Sequence, residues 1–463
     1  APTKIHRKEI DQQMKKLLTF LGNGEYGEGI YTYRSRKATK SRFVQTAIYE
    51  LFCQEFTDKD QIIIFLTEEA ESKNWKDSIG ESGKNKDKKL EGMENAWKKI
   101  NPKLLQQNQI RKVRIPSQQD EKHNWELFEI ILNEIDEGDE IIFDITHSFR
   151  SFPIMALIIL NYARILKNAS LKKLLYGCWE MNDRGTPPTA PIIDMTEMVP
   201  LLDWAYGVDS YKETGNASVI QTLTNKEVAS VFQTEKSSDD MSRTEANALR
   251  TLANCAHEFH QIMQTCRAPE IPQKLNNLRK ALEQAKTMEI QGFRPFEKLF
   301  GKMEEKIEYL TDRPIMDDYW AAKWCHDNGL IQQGYTLLQE GIITAICRVM
   351  GLELDDVNKR KLVSAAISVW LSEKTTEEWE GTEDEKSFMK AVISFLNPYK
   401  DLLKSYAGLT RYRNSINHAG RNRDNIPHQR FRPKLENYLK DFRPFFEKMD
   451  QLYQDQQEGA ATR

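Results

Sequence analysis

Short, continuous apolar runs alternate with longer amphipathic segments over the first two hundred residues. Four runs, KLLTFLG, QIIIFLT, IRKVRIP and EIIFDIT, have the length and apolar character of strands buried on both faces of a sheet. Two further strand candidates, LKKLLYGCWE and APIIDMTEM, follow. Alternating strands and helices predict parallel strands joined by right-handed crossovers, and hence an α/β, Rossmann-like domain. Apolar residues recur every three or four positions, as in helices, at 40–57, 90–100, 121–136 and 152–167.

From about residue 200 the pattern becomes that of helices alone. No further run predicts a strand, and turn-forming residues in GVDSYKETGNAS and QTEKSSDDMS mark a boundary. We therefore predict an α/β domain at 1–205, a helical linker at 206–240 and an all-α domain at 241–463. An exposed loop is predicted at 79–90, where Gly, Lys and Asp dominate. Helices are predicted at 218–233, 242–266, 273–288, 296–310, 317–350, 358–373, 386–404, 405–419 and 431–455.

Composition is that of a globular protein rather than of a disordered or membrane-spanning one. The 463 residues are 40% hydrophobic and 29% charged, with a net charge of −3, so any RNA site must be a local basic patch. The longest apolar run, 154–160, is far shorter than a bilayer span, and the first ten residues are polar. Six cysteines without a CxxC pair favour free thiols in a reducing compartment. We expect a cytoplasmic protein without a membrane partner.

The loop after the first predicted strand is rich in glycine. It runs from Gly22 to Gly29 as GNGEYGEG. Glycine permits positive φ and lets backbone N–H groups approach a phosphate closely. The spacing is not the GxGxxG of dinucleotide-binding sites, and an ordinary flexible turn is an equally good interpretation of this loop by itself.

A second polar loop, DITHSFRSFP, joins the strand EIIFDIT to the next helix. It combines three hydroxyls, a guanidinium and the partial positive charge of a helix N-terminus, all of which favour an anionic ligand. The purely structural alternative makes Ser151 an N-cap and lets Asp144 satisfy backbone donors.

These segments resemble a known family. FLGNGEY followed by YTY, KSRFVQTAIYEL, DITHSFRSFP and LLDWAYGVDSYKETGNAS are similar to parts of the CARF domain, and the stretch after it, in CRISPR-associated CARF–HEPN proteins. The resemblance implies binding of a cyclic oligoadenylate across a two-fold dimer axis. Ser148 stands where the family often has Gly, which leaves the ring size open, although we expect tetra-adenylate. The ligand-contact candidates are Gly22, Asn23, Gly24, Thr146, His147, Ser148 and Arg150.

A second motif, RYRNSINHAG, lies late in the helical half. Arg413 and His418 fit the Arg-x4-6-His pattern of HEPN ribonucleases, with Asn414 directly after the arginine. RNA cleavage without a metal needs a base, an acid and a cation at the phosphate, which histidine and arginine supply at neutral pH. We predict Arg413, Asn414 and His418 as the catalytic set, with 2′,3′-cyclic phosphate products. The alternative is a histidine at a helix C-terminus beside a surface ion pair.

The spacing of the pair predicts a composite site. On an ideal helix Arg413 and His418 point about 140° apart, so two copies of the motif facing each other across a homodimer would converge better. Gly420 is predicted as the C′ residue that ends the helix. Arg421 and Arg423 belong to a basic cluster, RNRDNIPHQRFR, which suits an RNA backbone, although a solvated basic face explains it nearly as well.

The sequence thus predicts a metal-independent endoribonuclease of type III CRISPR antiviral defence. It would be activated by cyclic oligoadenylate, cut single-stranded RNA, need no further cofactor, and bind no DNA. A non-catalytic nucleotide-sensing module is the alternative, and the missing GxGxxG argues against an oxidoreductase. His147 leaves a weak self-limiting cleavage of the ligand open. Two minor candidates are His326 as a rival catalytic residue and His257 with His260 as a metal pair.

Overall fold

The computed structural model describes residues 14–81, 85–118, 120–147, 152–233, 240–288, 294–311, 313–421 and 426–461. It divides into two compact units, Ala1–Leu201 and Leu202–Arg463. The segment 206–240, which we predicted as a linker, falls within the second unit.

The first unit alternates strands and helices in the order that the apolar runs predict. Its strands are β1 (Lys15–Leu21), β2 (Ile30–Tyr33), β3 (Arg36–Lys37), β4 (Gln61–Leu66), β5 (Ser78–Ile79), β6 (Lys89–Leu90), β7 (Ile110–Arg114), β8 (Glu140–Asp144), β9 (Ser170–Gly177) and β10 (Thr189–Asp194). Its helices are α1 (Val44–Phe52), α2 (Glu68–Asn74), α3 (Met93–Ile100), α4 (Pro102–Gln106), α5 (Glu121–Asn133) and α6 (Phe152–Leu166).

Eight of these strands form one sheet in the order β3-β2-β10-β9-β8-β1-β4-β7. The strands β9, β8, β1, β4 and β7 are mutually parallel, whereas β10 pairs with β9 in the antiparallel sense. Among the parallel strands, the chain moves outward from β1 through β4 to β7 and then returns to β8 on the other side of β1. The strand order therefore reverses between β1 and β8, and such a switch point is where open α/β sheets bind ligands. The predicted Rossmann-like fold is confirmed.

Both faces of the central strands are covered, which is why their sequences are continuously apolar. On β1, Leu17 packs into one core together with α1 and α3, and Leu18 packs into the opposite core with α5 and α6. The strands β2 and β3 and the hairpin β5–β6 were not predicted. The two hairpin strands occupy both ends of 79–90, which we had predicted as a plain loop.

The second unit is helical throughout its described residues. Its helices are α7 (Pro200–Thr214), α8 (Ser218–Gln233), α9 (Asp240–Gln264), α10 (Ile271–Thr287), α11 (Arg294–Glu305), α12 (Pro314–Asp327), α13 (Ile331–Val349), α14 (Val357–Leu371), α15 (Glu383–Leu396), α16 (Lys400–Leu403), α17 (Tyr406–Asn417) and α18 (Phe431–Ala461). α7 begins at Pro200, at the end of the first unit. Among the described residues, no helix combines the length and apolar character needed to cross a bilayer.

The prediction of one long helix at 317–350 is wrong, because the segment is a helical hairpin of α12 and α13. Gly329 has φ 76° and acts as the C′ residue of α12. Its N–H donates to His326 O, and the Leu330 N–H donates to Cys325 O at 2.8 Å, as in a Schellman motif. Gly329 thus reverses the chain, although the helical spacing of apolar residues continues in the sequence on both sides of it.

Helix α13 lies at the centre of the second unit. It packs against α12, α14, α17 and α18, and its buried side chains include Tyr335, Leu338 and Ile342. Two glycines of α13 let α18 approach closely. A Cβ at Gly334 would lie 2.7 Å from Leu435, and a Cβ at Gly341 would lie 3.3 Å from Phe446. Helix α17, which carries the Arg-x4-His motif, also packs directly against α13.

Candidate functional site

The glycine loop after β1 is fixed by hydrogen bonds from a buried asparagine. Asn74, at the end of α2 and 3% exposed, donates through Nδ2 to the carbonyl oxygens of Gly22 and Gly24, both at 2.9 Å. A Cβ at Gly22 would lie 2.6 Å from the Tyr26 hydroxyl, so a side chain there would have to displace Tyr26. The loop is therefore a fixed part of the site rather than only a connector.

The loop after β8 is built around Asp144. This side chain is fully buried, and its carboxylate accepts from Thr19 Oγ1 at 2.6 Å and from the Thr146 N–H at 2.9 Å and Oγ1 at 2.5 Å. Thr146 Oγ1 in turn accepts from the Gly177 N–H at 2.8 Å. Asp144 thus satisfies backbone and hydroxyl donors, as the structural alternative for this residue proposed, and it ties the ends of β1, β8 and β9 together.

The two loops meet in one pocket of about 370 Å³ at the switch point between β1 and β8. The structure brings together five of the predicted contact residues there, although they are more than 120 positions apart in the chain. The lining also includes two hydroxyl side chains that follow β4 and β7, Thr67 and Ser117. The predicted residues that line the pocket are Gly22, Asn23, Gly24, Thr146 and His147.

His147 lies against Tyr26 on the floor of this pocket. Their ring centroids are 4.1 Å apart, and burial lowers the pKa of His147 to about 4, against a small opposing effect of Glu180. Burial also raises the pKa of Tyr26. Nε2 of His147 is buried and has no hydrogen-bond partner among the described residues. At neutral pH the pocket therefore presents a neutral imidazole.

The described pocket lining carries a negative charge. Glu69, on α2, accepts from Asn23 Nδ2 at 2.9 Å and from Lys73 Nζ at 3.0 Å. The Asn23 hydrogen bond and then the Lys73 ion pair keep the pKa of Glu69 below its usual value. Because His147 is neutral, Glu69 is the charged side chain among the lining residues that the structure describes.

Two predicted contacts, Ser148 and Arg150, lie outside the described residues. The structure adds residues that the sequence did not single out as contacts, chiefly Asn74 and Glu69. It also adds Arg42, within the KSRFVQTAIYEL segment, which is 6% exposed and donates to Tyr26 O at 3.3 Å. Asn74 and Glu69 act on loops about fifty positions away, and no local sequence pattern marks such partners.

In the second unit, Arg413 projects from α17 toward α13. Its Nη2 lies 4.0 Å from Glu340 Oε1, and its Nη1 donates to Asn414 Oδ1 at 3.4 Å. Glu340 also accepts from Arg360 Nη2 at 2.8 Å. The Arg413 side chain is 30% exposed, and its Nε is buried without a hydrogen-bond partner in the described part of the chain. Arg413 thus lies beside a carboxylate that hydrogen bonds to Arg360, at a distance too long for a hydrogen bond of its own.

His418 is exposed at the C-cap of α17, and its N–H donates to Asn414 O at 2.9 Å. Contacts among the described residues do not join it to Arg413, and α17 is regular up to Asn417, so the angular separation estimated from the sequence applies. The prediction of Gly420 as C′ is wrong by one residue. Ala419, with φ 55°, occupies that position, and the Gly420 N–H completes the Schellman motif at Ser415 O.

The structure describes only part of the basic cluster. Arg421 is exposed shortly after the end of α17, and Arg423 lies outside the described residues. Among the described residues, no group of three or more His, Cys, Asp or Glu side chains is arranged to hold a metal ion. His326, the rival candidate, has a neighbouring carboxylate, since its Nδ1 lies 3.1 Å from Asp327 Oδ1.

Comparison with known proteins agrees with this geometry. Residues 16–177 match the family model of the CARF domain of the CRISPR system endoribonuclease Csx1, and residues 200–310 match the second domain of the CRISPR-associated protein MJ1674. The CRISPR-associated protein MJ1674 of Methanocaldococcus jannaschii is 28% identical over 261 residues, which are 55% of this chain and 36% of that protein. The chain thus spans about a third of the length of this relative, and neither family model reaches α17. These matches identify the chain as a CARF-containing, CRISPR-associated protein.

Proposed function

We propose that this protein is a sensor–effector of type III CRISPR defence, a homodimeric, metal-independent endoribonuclease that cuts single-stranded RNA when cyclic oligoadenylate binds. The observation that carries the proposal is the meeting of the glycine loop and the Thr146–His147 loop at the β1/β8 switch point. This pocket lies in the segment that matches the Csx1 CARF domain.

The pocket offers groups that suit the phosphate and the base of a nucleotide. Backbone N–H groups of a glycine-rich turn can approach phosphate oxygens without a side chain in the way. Thr146 and Thr67 add hydroxyls, and the neutral ring of His147 offers a stacking surface or a hydrogen bond. Cyclic tetra-adenylate is the activator that we propose.

A second copy of the chain is proposed to complete both sites. On α6, the helix that follows the Thr146–His147 loop, Ile154, Ile158, Tyr162 and Ile165 are 46–69% exposed. These four residues lie within about 80° of one another on an ideal helix. Exposed apolar stripes of this kind mark interaction surfaces, and an apolar stripe complements its own copy in an isologous dimer.

The proposed effector chemistry follows from the residues at the end of α17. Arg413, which lies beside Glu340, would stabilise the negative charge that develops on the phosphorane. His418 would move the proton at the 2′-hydroxyl or at the leaving 5′-oxygen, and Asn414 would orient the scissile group. Because Arg413 and His418 point apart on one helix, the ribonuclease active site would combine residues from two copies of the chain.

A weak cleavage of the activator itself is a second candidate activity. It is favoured by one observation, the neutral His147 imidazole whose buried Nε2 lacks a partner among the described residues while the ring lines the pocket. A neutral imidazole close to a ribose 2′-hydroxyl can accept its proton.

The test is an RNase assay with cyclic tri-, tetra- and hexa-adenylate in the presence of EDTA. We expect cleavage with one ring size, products ending in 2′,3′-cyclic phosphate, and loss of cleavage in Arg413→Ala and His418→Ala. His123→Ala, a partly exposed histidine on α5 outside both the motif and the pocket, is the matched control and should stay active. Tight ring binding without any cleavage would instead support the non-catalytic sensing module.

A further inference from the structure

The charge of the described pocket lining is opposite to what a phosphate ligand alone would require. Glu69 places a carboxylate in the same pocket as the glycine loop, and hydrogen bonds to Asn23 and Lys73 keep it ionised. A carboxylate near a phosphate repels it unless the carboxylate has a donor of its own to bind. Asn23 and Lys73 use part of the acceptor capacity of Glu69, and a donor on the ligand would offset the remaining repulsion.

We propose that Glu69 is a specificity-determining residue that accepts a hydrogen bond from an N–H or O–H donor of the bound nucleotide. The inference rests on the proposed function and deepens it, because it assigns the recognition of base or sugar to α2 rather than to the two phosphate-facing loops. An adenine amino group and a ribose 2′-hydroxyl are the two donors that a cyclic oligoadenylate offers.

The geometry leaves the carboxylate able to do this. An ionised carboxylate has about four acceptor positions, and the described donors to Glu69 are Asn23 Nδ2 at 2.9 Å and Lys73 Nζ at 3.0 Å. Its side chain is 52% exposed, so it is reachable from the pocket. Asn23 also fixes the carboxylate relative to the glycine loop, which places base or sugar recognition next to phosphate binding.

A purely structural role for Glu69 predicts a different result. If Glu69 only held Asn23 in place, its loss would loosen the glycine loop and weaken every ligand equally. If it reads a donor, its loss weakens a ligand that has the donor and leaves a ligand that lacks the donor unchanged. Ligand analogues therefore separate the two roles, whereas the affinity for one ligand does not.

The experiment is calorimetric titration of the full chain with three rings: cyclic tetra-adenylate, its analogue with purine in place of adenine, and its 2′-deoxy analogue. The proteins are the wild type, Glu69→Ala, and Glu68→Ala as a matched control, an exposed carboxylate one position earlier on α2 that does not line this pocket. Thermal unfolding checks that all three are folded.

We expect the wild type to bind cyclic tetra-adenylate about tenfold more tightly than one of the two analogues, as for one charge-assisted hydrogen bond. The purine ring losing affinity would identify the amino group, and the deoxy ring losing affinity would identify the hydroxyl. In Glu69→Ala the preference should disappear, while Glu68→Ala should keep it.

A preference that survives in Glu69→Ala, or a uniform loss for all three rings, would overturn the inference and leave the proposed function standing. The same holds if Glu69→Ala binds tetra-adenylate as tightly as the wild type. Failure of the wild type to bind cyclic tetra-adenylate would instead overturn the activator named in the proposed function, and this inference with it.

Discussion

His147, the partly buried histidine that lines the pocket at the β1/β8 switch point, should make the stability of the first unit depend on pH in a defined way. The perturbation is His147→Phe, which keeps a planar ring against Tyr26 but cannot be protonated. In the folded chain burial lowers the pKa of His147 to about 4, whereas an unfolded histidine titrates near 6.5. Between these values the unfolded state binds more protons, so stability falls as the pH falls.

The magnitude follows from the size of the pKa difference. A difference of about 2.5 units corresponds to at most about 3.4 kcal/mol, all of which is lost below pH ~4. At pH 5 the wild type should have lost about 2 kcal/mol relative to pH 7 through this group. The variant should lose none of it, and other titrating groups, such as the buried Asp144, cancel in the comparison.

Hydrogen exchange of peptides from β1 and β8 at pH 7 and pH 5 measures the effect where it arises, because it reports the free energy of opening of the first unit alone. Exchange rates are corrected for the intrinsic effect of pH. A wild type and a variant that lose the same stability between the two pH values would refute the lowered pKa of His147 and its neutral state at pH 5.

Three further predictions concern the scaffold and the dimer. Asn74→Ala removes two hydrogen bonds to the glycine loop, so it should destabilise the first unit by about 1–3 kcal/mol in urea and weaken ring binding in calorimetry, while Asn95→Ala, at a partly exposed amide on α3, should do neither. Lys16→Met leaves the buried Asp139 carboxylate, 2.7 Å from Nζ in the native chain, without its ion pair, and should cost about 3–5 kcal/mol in urea unfolding; a cost below 1 kcal/mol would contradict this burial. Ile158→Glu, on the exposed stripe of α6, should convert dimer to monomer in light scattering and abolish ring-activated cleavage, and a dimeric variant would exclude this stripe as the interface.

Much of the sensor fold could be predicted because its signal is local. Strands covered on both faces must be apolar at every position, so runs such as QIIIFLT reveal β4, and polar residues directly after β1 and β8 reveal the ligand edge. The short strands β2 and β3 at one side of the sheet carry no such run, because β3 is exposed and β2 buries only Tyr31.

The features that the sequence did not predict have two physical causes. Some depend on contacts between residues distant in sequence, and others depend on the conformation of a single residue. Asn74 matters through carbonyl groups about fifty positions away, and Glu340 approaches Arg413 from another helix. Gly329 separates α12 from α13 by adopting a left-handed φ, although a lone glycine within a helical pattern is usually tolerated. At the end of α17, Ala419 takes the left-handed conformation that we assigned to Gly420.

The most direct test of the whole account is cleavage of single-stranded RNA by the wild type and by His418→Ala, with and without cyclic tetra-adenylate, in EDTA, together with the affinity of both proteins for the ring. We predict that both bind the ring equally, since His418 lies in the second unit and outside the pocket. Only the wild type should then cleave RNA, and only when the ring is present. Ring-dependent cleavage that persists in His418→Ala would contradict the central claim that the motif on α17 carries the activity.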